Sequence, residues 1–196
     1  MAGLRPTPTA TGAWQLPPNA TADRYYFDPS FAQSVVDLAH RNGFRRVLDV
    51  GAGIGRYVRF YRERGLEAFG IDGLNGAYER SGGLVHEVDV AREPDWCSVF
   101  DVVTCMEVLE HVPRQYESHV LEQLVCAAMH RLVLSWAGPS QKGNGHVNPR
   151  NASYVRGVLA QQSWREAEAE TRQLKKDSRL PWYRGNVLSF ERMVSN

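Results

Sequence analysis

An α/β fold built on a parallel, doubly wound sheet is predicted by three features of the sequence. Apolar runs of strand length alternate along the chain with amphipathic helical segments. The inner runs are continuous in Val, Leu, Ile and Phe, as strands covered on both faces must be. The first run meets a glycine-rich turn that opens directly into a helix pattern. In such sheets ligands sit beyond the carboxyl ends of the strands, where the strand order reverses. The polar residues that end each run are therefore the place to look for function.

The elements follow in order. "DPSFAQSVVDLAHRNG" reads as a helix with Phe31, Val35 and Leu38 on one face and Gly43 as its stop. "FRRVLDVGAG" is a short buried strand meeting glycines, and "IGRYVRFYRERG" is a helix with Tyr57, Phe60 and Tyr61 on one side. "EAFGIDG" and "LVHEVDV" are the second and third strands, and "SVFDVVTCME" is the fourth. "PRQYESHVLEQLVCAAM" is a helix whose buried stripe is Tyr116, Val120, Leu121, Leu124 and Ala128. "HRLVLSWAG" is a fifth strand, followed by the polar loop "PSQKGNGHVNPRN" and a helix, "ASYVRGVLAQQ", with Asn151 as its N-cap. The stretch from Trp164 to Met193 alternates around a proline break and is expected to form two antiparallel strands.

The 196 residues suit one domain. With 43% hydrophobic and 23% charged residues, a core is available without disulfides. Residues 1–26 are rich in Pro, Thr and Ala and lack an apolar signal core, so an irregular N-terminal arm is expected, with a single domain over 27–196. A net charge of +1 implies no polybasic surface, and a nucleic-acid partner is not expected. No run approaches the roughly 18 apolar residues of a membrane span, so no membrane partner is expected. The three cysteines, Cys97, Cys105 and Cys126, show no CxxC spacing and are expected to be buried, reduced thiols of a cytoplasmic protein.

Each of the first four strands ends in acid. The first ends in Asp49-Val50-Gly51-Ala52-Gly53-Ile54-Gly55. The glycines let the backbone turn tightly and approach a ligand. An acid two residues before the first glycine would repel a pyrophosphate and suits a ligand with an ammonium group. Asp72 ends the second strand, about 20 residues on, where a carboxylate can accept from both hydroxyls of a ribose. Asp89, beside Val90, is placed to bond an exocyclic amine of adenine, and Met106-Glu107 end the fourth strand.

These residues resemble the class I S-adenosylmethionine-dependent methyltransferases over roughly Phe27 to Arg192. "VLDVGAGIGRY", "GIDG", "HEVDVA" and "FDVVTCMEVLEHVP" look like the family's first four motifs, the last being similar to the small-molecule branch that includes ubiquinone-biosynthesis O-methyltransferases. The resemblance implies a Rossmann-like, doubly wound seven-stranded sheet in the order 3-2-1-4-5-7-6, strand 7 antiparallel, with helices on both faces. It implies S-adenosylmethionine as cofactor. Gly51, Gly53 and Gly55 would line its methionine moiety, with Asp49 near the amino group and Asp72 on the ribose. Asp89 and Val90 would flank the adenine, and Met106 and Glu107 would sit near the sulfonium.

The expected reaction is methyl transfer to an oxygen or nitrogen of a small polar molecule, by a monomer or homodimer. His111 or His146 would serve as base, with Glu110 beside them on the rim. The loop residues Gln141, Asn148 and Arg150 could contact the acceptor, as could Trp136 and an arm carrying Trp14, Tyr25 and Tyr26. Glu117 and His119 read as solvated helix surface. One alternative is a metal-assisted RNA 2′-O-methyltransferase: a small RNA-modifying group has a Glu-x-x-Glu-His element plus a later His that binds a divalent ion, and Glu107, Glu110, His111 and His146 match it in type and order. Metal is possible there but not favoured. Another alternative is a cofactor-binding protein without catalysis.

Overall fold

In the computed structural model, which describes residues 6–17, 26–93 and 98–193, the apolar runs become one seven-stranded sheet. A short hairpin precedes it, β1 (Thr7–Pro8) antiparallel to β2 (Trp14–Gln15). Helix α1 (Pro29–Arg41) starts at Asp28, whose carboxylate accepts from the N–H groups of Ser30 and Phe31. Pro29 occupies the first turn, where its missing N–H leaves nothing unpaired. Then come β3 (Arg46–Val50), α2 (Arg56–Arg62), β4 (Glu67–Asp72), α3 (Ala77–Ser81), β5 (Val85–Glu87) and β6 (Phe100–Met106). A single tight turn at Arg114–Tyr116 leads into α4 (Glu117–Ala127), β7 (Ala128–Ser135) and α5 (Ala152–Gln161). The chain finishes with β8 (Trp164–Glu166), α6 (Glu168–Asp177), α7 (Pro181–Asn186) and β9 (Leu188–Arg192).

The sheet order is β5-β4-β3-β6-β7-β9-β8. Counted along the chain within the sheet, that is the expected 3-2-1-4-5-7-6. Pairings from β5 to β7 are parallel, and β9 runs antiparallel to both its neighbours. The order reverses between β3 and β6. There Val50 is level with Ile71 and Cys105, so Gly51, Asp72 and Met106 emerge side by side at one rim. Alternate residues of β3 face opposite ways, Val47 into a core shared with α1, α2, α6 and α7, and Leu48 into a core shared with α4 and α5. Helices thus cover both faces, which explains why the inner strands are apolar throughout.

Four differences from the sequence reading have physical causes. The carboxy-terminal strands exist and are antiparallel, but α6 and α7 lie between them. The Glu-Ala alternation of 166–170 imitates a strand, whereas Thr171 and Leu174 form the buried stripe of a helix with acids in its first turn and lysines in its last. The glycine-flanked helix α3 is too short to show periodicity. Within the segment read as irregular, residues 6–17 contain the β1–β2 hairpin, held by contacts distant in sequence. Finally, Cys105 is free and buried, but Cys126 sits on the exposed side of α4 and is disulfide-bonded, which corrects the expectation of reduced, buried thiols there. Cys97 and Tyr25 lie outside the described residues. Among the described residues no helix is long and apolar enough to cross a membrane.

Asp28 ties the ends of the domain together. One carboxylate oxygen caps α1, and the other accepts from the Ser178 hydroxyl at 2.7 Å and from the N–H groups of Arg179 and Leu180. Burial pushes its carboxyl up, but the bonds from Ser178, Phe31, Leu180 and Arg179 outweigh this and hold it below the usual carboxylate range. Asp28→Ala is expected to lower unfolding free energy by about 3 kcal/mol in urea denaturation at pH 7. The gap between variant and wild type should close as pH falls from about 3.9, the ordinary carboxylate value, through the lower native one.

Candidate active site

A cavity of about 600 Å³ opens at the carboxyl ends of β3, β4 and β6, a volume suited to a cofactor and a small partner. Gly51 begins its floor at φ +77°, where a Cβ would stand 2.1 Å from Val108 Cγ2. The next turn serves Asp72, whose two carboxylate oxygens accept from the N–H groups of Gly53 and Leu74, each at 2.7 Å. Burial still pushes this carboxyl up, because two N–H bonds only partly replace the lost hydration.

Asp49 lies deeper. Its Oδ1 accepts from the Thr104 hydroxyl at 2.7 Å, while its buried Oδ2 has no partner. Burial raises its pKa to about 7; the Thr104 bond opposes the shift and the Asp72 charge adds to it. Asp89 accepts from the Thr11 hydroxyl at 2.7 Å and from the Ala91 N–H at 3.1 Å.

Across the cavity, Glu107 adopts φ 56°, a left-handed conformation that is rare for a residue with a side chain. Its N–H donates to the Ser135 hydroxyl at 2.8 Å, and its Oε2 accepts from Gln141 Nε2 at 3.1 Å. Gln141 is itself held by Asn186. Glu107 Oε1 and both oxygens of the fully buried Glu110 have no partner. Burial, and then the neighbouring Glu107 charge, push the Glu110 carboxyl well above the usual range.

Nδ1 of His111 lies 3.1 Å from the Gly145 carbonyl, and Nδ1 of His146 lies 3.1 Å from the Gln141 carbonyl. A carbonyl only accepts, so in each ring Nδ1 carries the hydrogen and the neutral ring keeps its lone pair on Nε2. The two rings meet edge to face at 5.1 Å, and Glu110, His111 and His146 present donor atoms within 4.8 Å of one another. Burial lowers the His111 pKa, with the Gly145 bond opposing and the His146 charge assisting. An aromatic wall faces these groups: Trp14, Tyr57, Trp182 and Tyr183.

Of the expected site residues, Asp49, Gly51, Asp72, Asp89, Val90, Met106, Glu107, His111 and His146 line the cavity. Gly53 and Gly55 do not. Gly53 acts through Asp72, and Gly55 packs on β5, where a Cβ would lie 3.1 Å from Val85 Cγ2. Glu110 sits behind the rim rather than on it. Gln141 faces the cavity, but Asn148 and Arg150 turn the other way and donate to Glu117, each at 2.7 Å. Glu117 is therefore a buried anchor and not solvated surface, because its carboxylate accepts from the side chains of Asn148, Arg150 and Tyr154. Trp136 is core, donating to the Asn148 carbonyl at 2.7 Å. Thr104, Thr11, Tyr57 and Tyr183 were not foreseen; only Thr104, a hydroxyl inside an apolar run, carries a signal in the sequence.

A family model described as a methyltransferase domain matches residues 23–163. The ubiquinone biosynthesis O-methyltransferase of Alkalilimnicola ehrlichii is 41% identical in an 83-residue alignment that covers 35% of this chain and 32% of that protein. The match thus spans about a third of that relative's length. Magnesium protoporphyrin IX methyltransferase from Synechocystis PCC 6803, solved with bound SAH, is 19% identical over 84% of this chain and 83% of its own, with a TM-score of 0.64. The sugar N-methyltransferase KedS8 from Streptoalloteichus is 16% identical over 84% of this chain and 87% of its own, with a TM-score of 0.66. At these identities the likeness to the two structures is one of fold.

The approach of Val108 to Gly51 is testable by a double-mutant cycle. Gly51→Ala should lower stability by about 2 kcal/mol, and Val108→Ala in the same chain should remove the collision while leaving the left-handed strain. Thermal unfolding of the four proteins should show strong coupling; strict additivity would contradict the geometry.

Proposed function

The chain belongs to the class I S-adenosylmethionine-dependent methyltransferases, and from that premise we propose that it methylates an oxygen or nitrogen of a small polar molecule. The observation that carries this reading is the pair of carboxylates on the cavity floor, buried Asp49 and half-buried Asp72, with Asp49 Oδ2 left without a partner. A ligand bringing an ammonium group to Asp49 and a ribose diol to Asp72 meets both. The first supplies the missing countercharge and the second uses the lone pairs that Gly53 and Leu74 leave free. Asp89 and Val90 then flank the adenine, and Met106 and Glu107 border the sulfonium. When bound, the cofactor supplies a methyl group on a positively charged sulfur, ready for in-line displacement.

The chain's own part is to orient the acceptor, exclude water and remove a proton. His111 is assigned the base. Its Nδ1 is committed to the Gly145 carbonyl, its Nε2 is free to take a proton, and its lowered pKa keeps it neutral at pH 7. Glu107, held in a strained conformation by Ser135 and Gln141, positions the acceptor opposite the base. These acceptor-side groups favour an enzyme over a protein that binds the cofactor and does nothing further.

A second reading rests on Glu110. Its two unpartnered oxygens lie beside two imidazoles with free Nε2 atoms, a donor set that suits a divalent cation, with Glu107 as a fourth ligand. Such an ion would polarise an acceptor hydroxyl, as in the metal-assisted RNA 2′-O-methyltransferase alternative.

Calorimetry with S-adenosylhomocysteine tests the first reading. Affinity should rise with pH up to about 7, because Asp49 must lose its proton to meet the ammonium, and then level off. Asp49→Asn should weaken binding about tenfold and flatten that dependence. No binding by the wild type refutes both the enzyme and the passive binder.

For the second reading, adding Mn²⁺ to chelator-treated protein should raise the melting temperature, more so at higher pH as Glu110 gives up its proton. Glu110→Gln should abolish the effect, and an unchanged melting temperature in the wild type removes the metal.

A further inference from the structure

The β1–β2 hairpin lies across the half of the cavity assigned to adenosine, and it is fastened to three different strand ends. At its turn, the Thr11 hydroxyl donates to Asp89 just beyond β5, and Thr11 is itself 2% exposed. Beyond β2, Leu16 and Asn75 form a two-bond clasp: the Leu16 N–H donates to Asn75 Oδ1 at 2.7 Å, and Asn75 Nδ2 donates to the Leu16 carbonyl at 3.0 Å. Ala13 sits on Gly73 after β4, where a Cβ would come within 2.6 Å of the Ala13 side chain. Gly12, at φ +94°, passes so close to the segment after β6 that a Cβ would stand 2.2 Å from the His111 carbonyl oxygen. Trp14 meets the His111 ring edge to face at 5.2 Å.

Two strands of two residues have no stability of their own. In residues 6–17 only Thr11 and Leu16 are buried, so the hairpin opens more readily than the sheet beneath it. Its place is set by the Thr11–Asp89 bond, the Leu16–Asn75 clasp and a bond that Arg80 donates to the Pro17 carbonyl at 3.2 Å. Asp72, Asp89 and Val90 line the same cavity as Thr11, Gly12, Ala13 and Leu16 of the hairpin segment.

We propose that the β1–β2 hairpin is a hinged roof of the cofactor site, latched by Thr11 on Asp89 and clasped by Asn75, and that it sets the rate of cofactor exchange. The inference rests on the reading that the cofactor occupies this cleft. Asp89 then has two tasks. One oxygen holds Thr11, and the remaining lone pairs of the carboxylate stay available to the adenine amine. Thr11 is a positioning residue: it orients Asp89 and keeps the roof down. Product release requires the latch to break, so release and not methyl transfer is the step it governs.

The test is stopped-flow binding and release of S-adenosylhomocysteine by the full chain and three variants. Thr11→Val keeps the shape of the side chain and loses the hydroxyl, and it should release the ligand about tenfold faster, as loss of one bond to a charged acceptor implies. Thr11→Ser keeps the hydroxyl and should restore slow release. Asn75→Ala removes the clasp at the other end and should also speed release, which keeps the test open if Thr11→Val fails to fold. Release at the wild-type rate in both Thr11→Val and Asn75→Ala, with equilibrium binding intact, overturns the roof and leaves the functional reading standing. Absence of any binding by the wild type overturns both.

Discussion

The structure depends on acids gathered at one edge of a parallel sheet, most of them without an ion pair to any described residue. Parallel strands deliver all their carboxyl ends to the same edge, and three of the acids placed there or just beyond, Asp49, Glu107 and Glu110, each keep at least one buried oxygen unpartnered. None of the three forms an ion pair with a described residue. Burying such groups is unfavourable, and the rise of the Asp49 and Glu110 pKa values expresses it. A cationic ligand relieves the strain; a neutral one leaves it in place. In the proposed function this edge takes an ammonium at Asp49, and in its second reading a divalent ion at Glu110.

Around this edge the fold supplies rigidity where geometry matters. β3 and β6 sit at the centre of the sheet and hold Asp49 and Thr104 in register. The long loop after β7 is held by Glu117, which accepts from Asn148 and Arg150, by the Glu110 carbonyl, which accepts from the N–H groups of Val147 and Asn148, and by Trp136, which donates to the Asn148 carbonyl. These bonds fix Gly145 and His146, and through them the orientation of both imidazoles. Glu117 lies outside the cavity lining, yet it helps to hold the loop that carries His146. The hairpin lies at the opposite extreme, with only Thr11 and Leu16 buried in residues 6–17, and motion is expected there.

The fold and the acids that line the cavity were largely legible in the sequence because both follow from local pattern. Continuous apolar runs mark strands covered on two faces, and an acid or glycine at the end of such a run marks the ligand edge. Asp49, Asp72, Asp89 and Glu107 were readable for that reason. What stayed hidden depends on contacts between distant segments. Glu117 looked like surface because its partners lie about 30 residues away. Thr11 lies 78 residues from Asp89, and no local pattern announces such a bond. Helices α6 and α7 were missed because the first carries few apolar residues and the second is only a turn and a half long. The left-handed backbone of Glu107 is likewise set by its Ser135 bond and by packing, not by its neighbours in sequence.

The most direct test of the central claim, that the acid edge of the sheet is a cofactor site, is a crystal structure of the chain with S-adenosylhomocysteine. The account predicts the ligand's amino group within hydrogen-bond distance of Asp49 Oδ2, its ribose hydroxyls on Asp72, and its adenine between Asp89 and Val90 beneath the hairpin. Density for the ligand elsewhere, or in this cleft with the amino group turned away from Asp49, would contradict it.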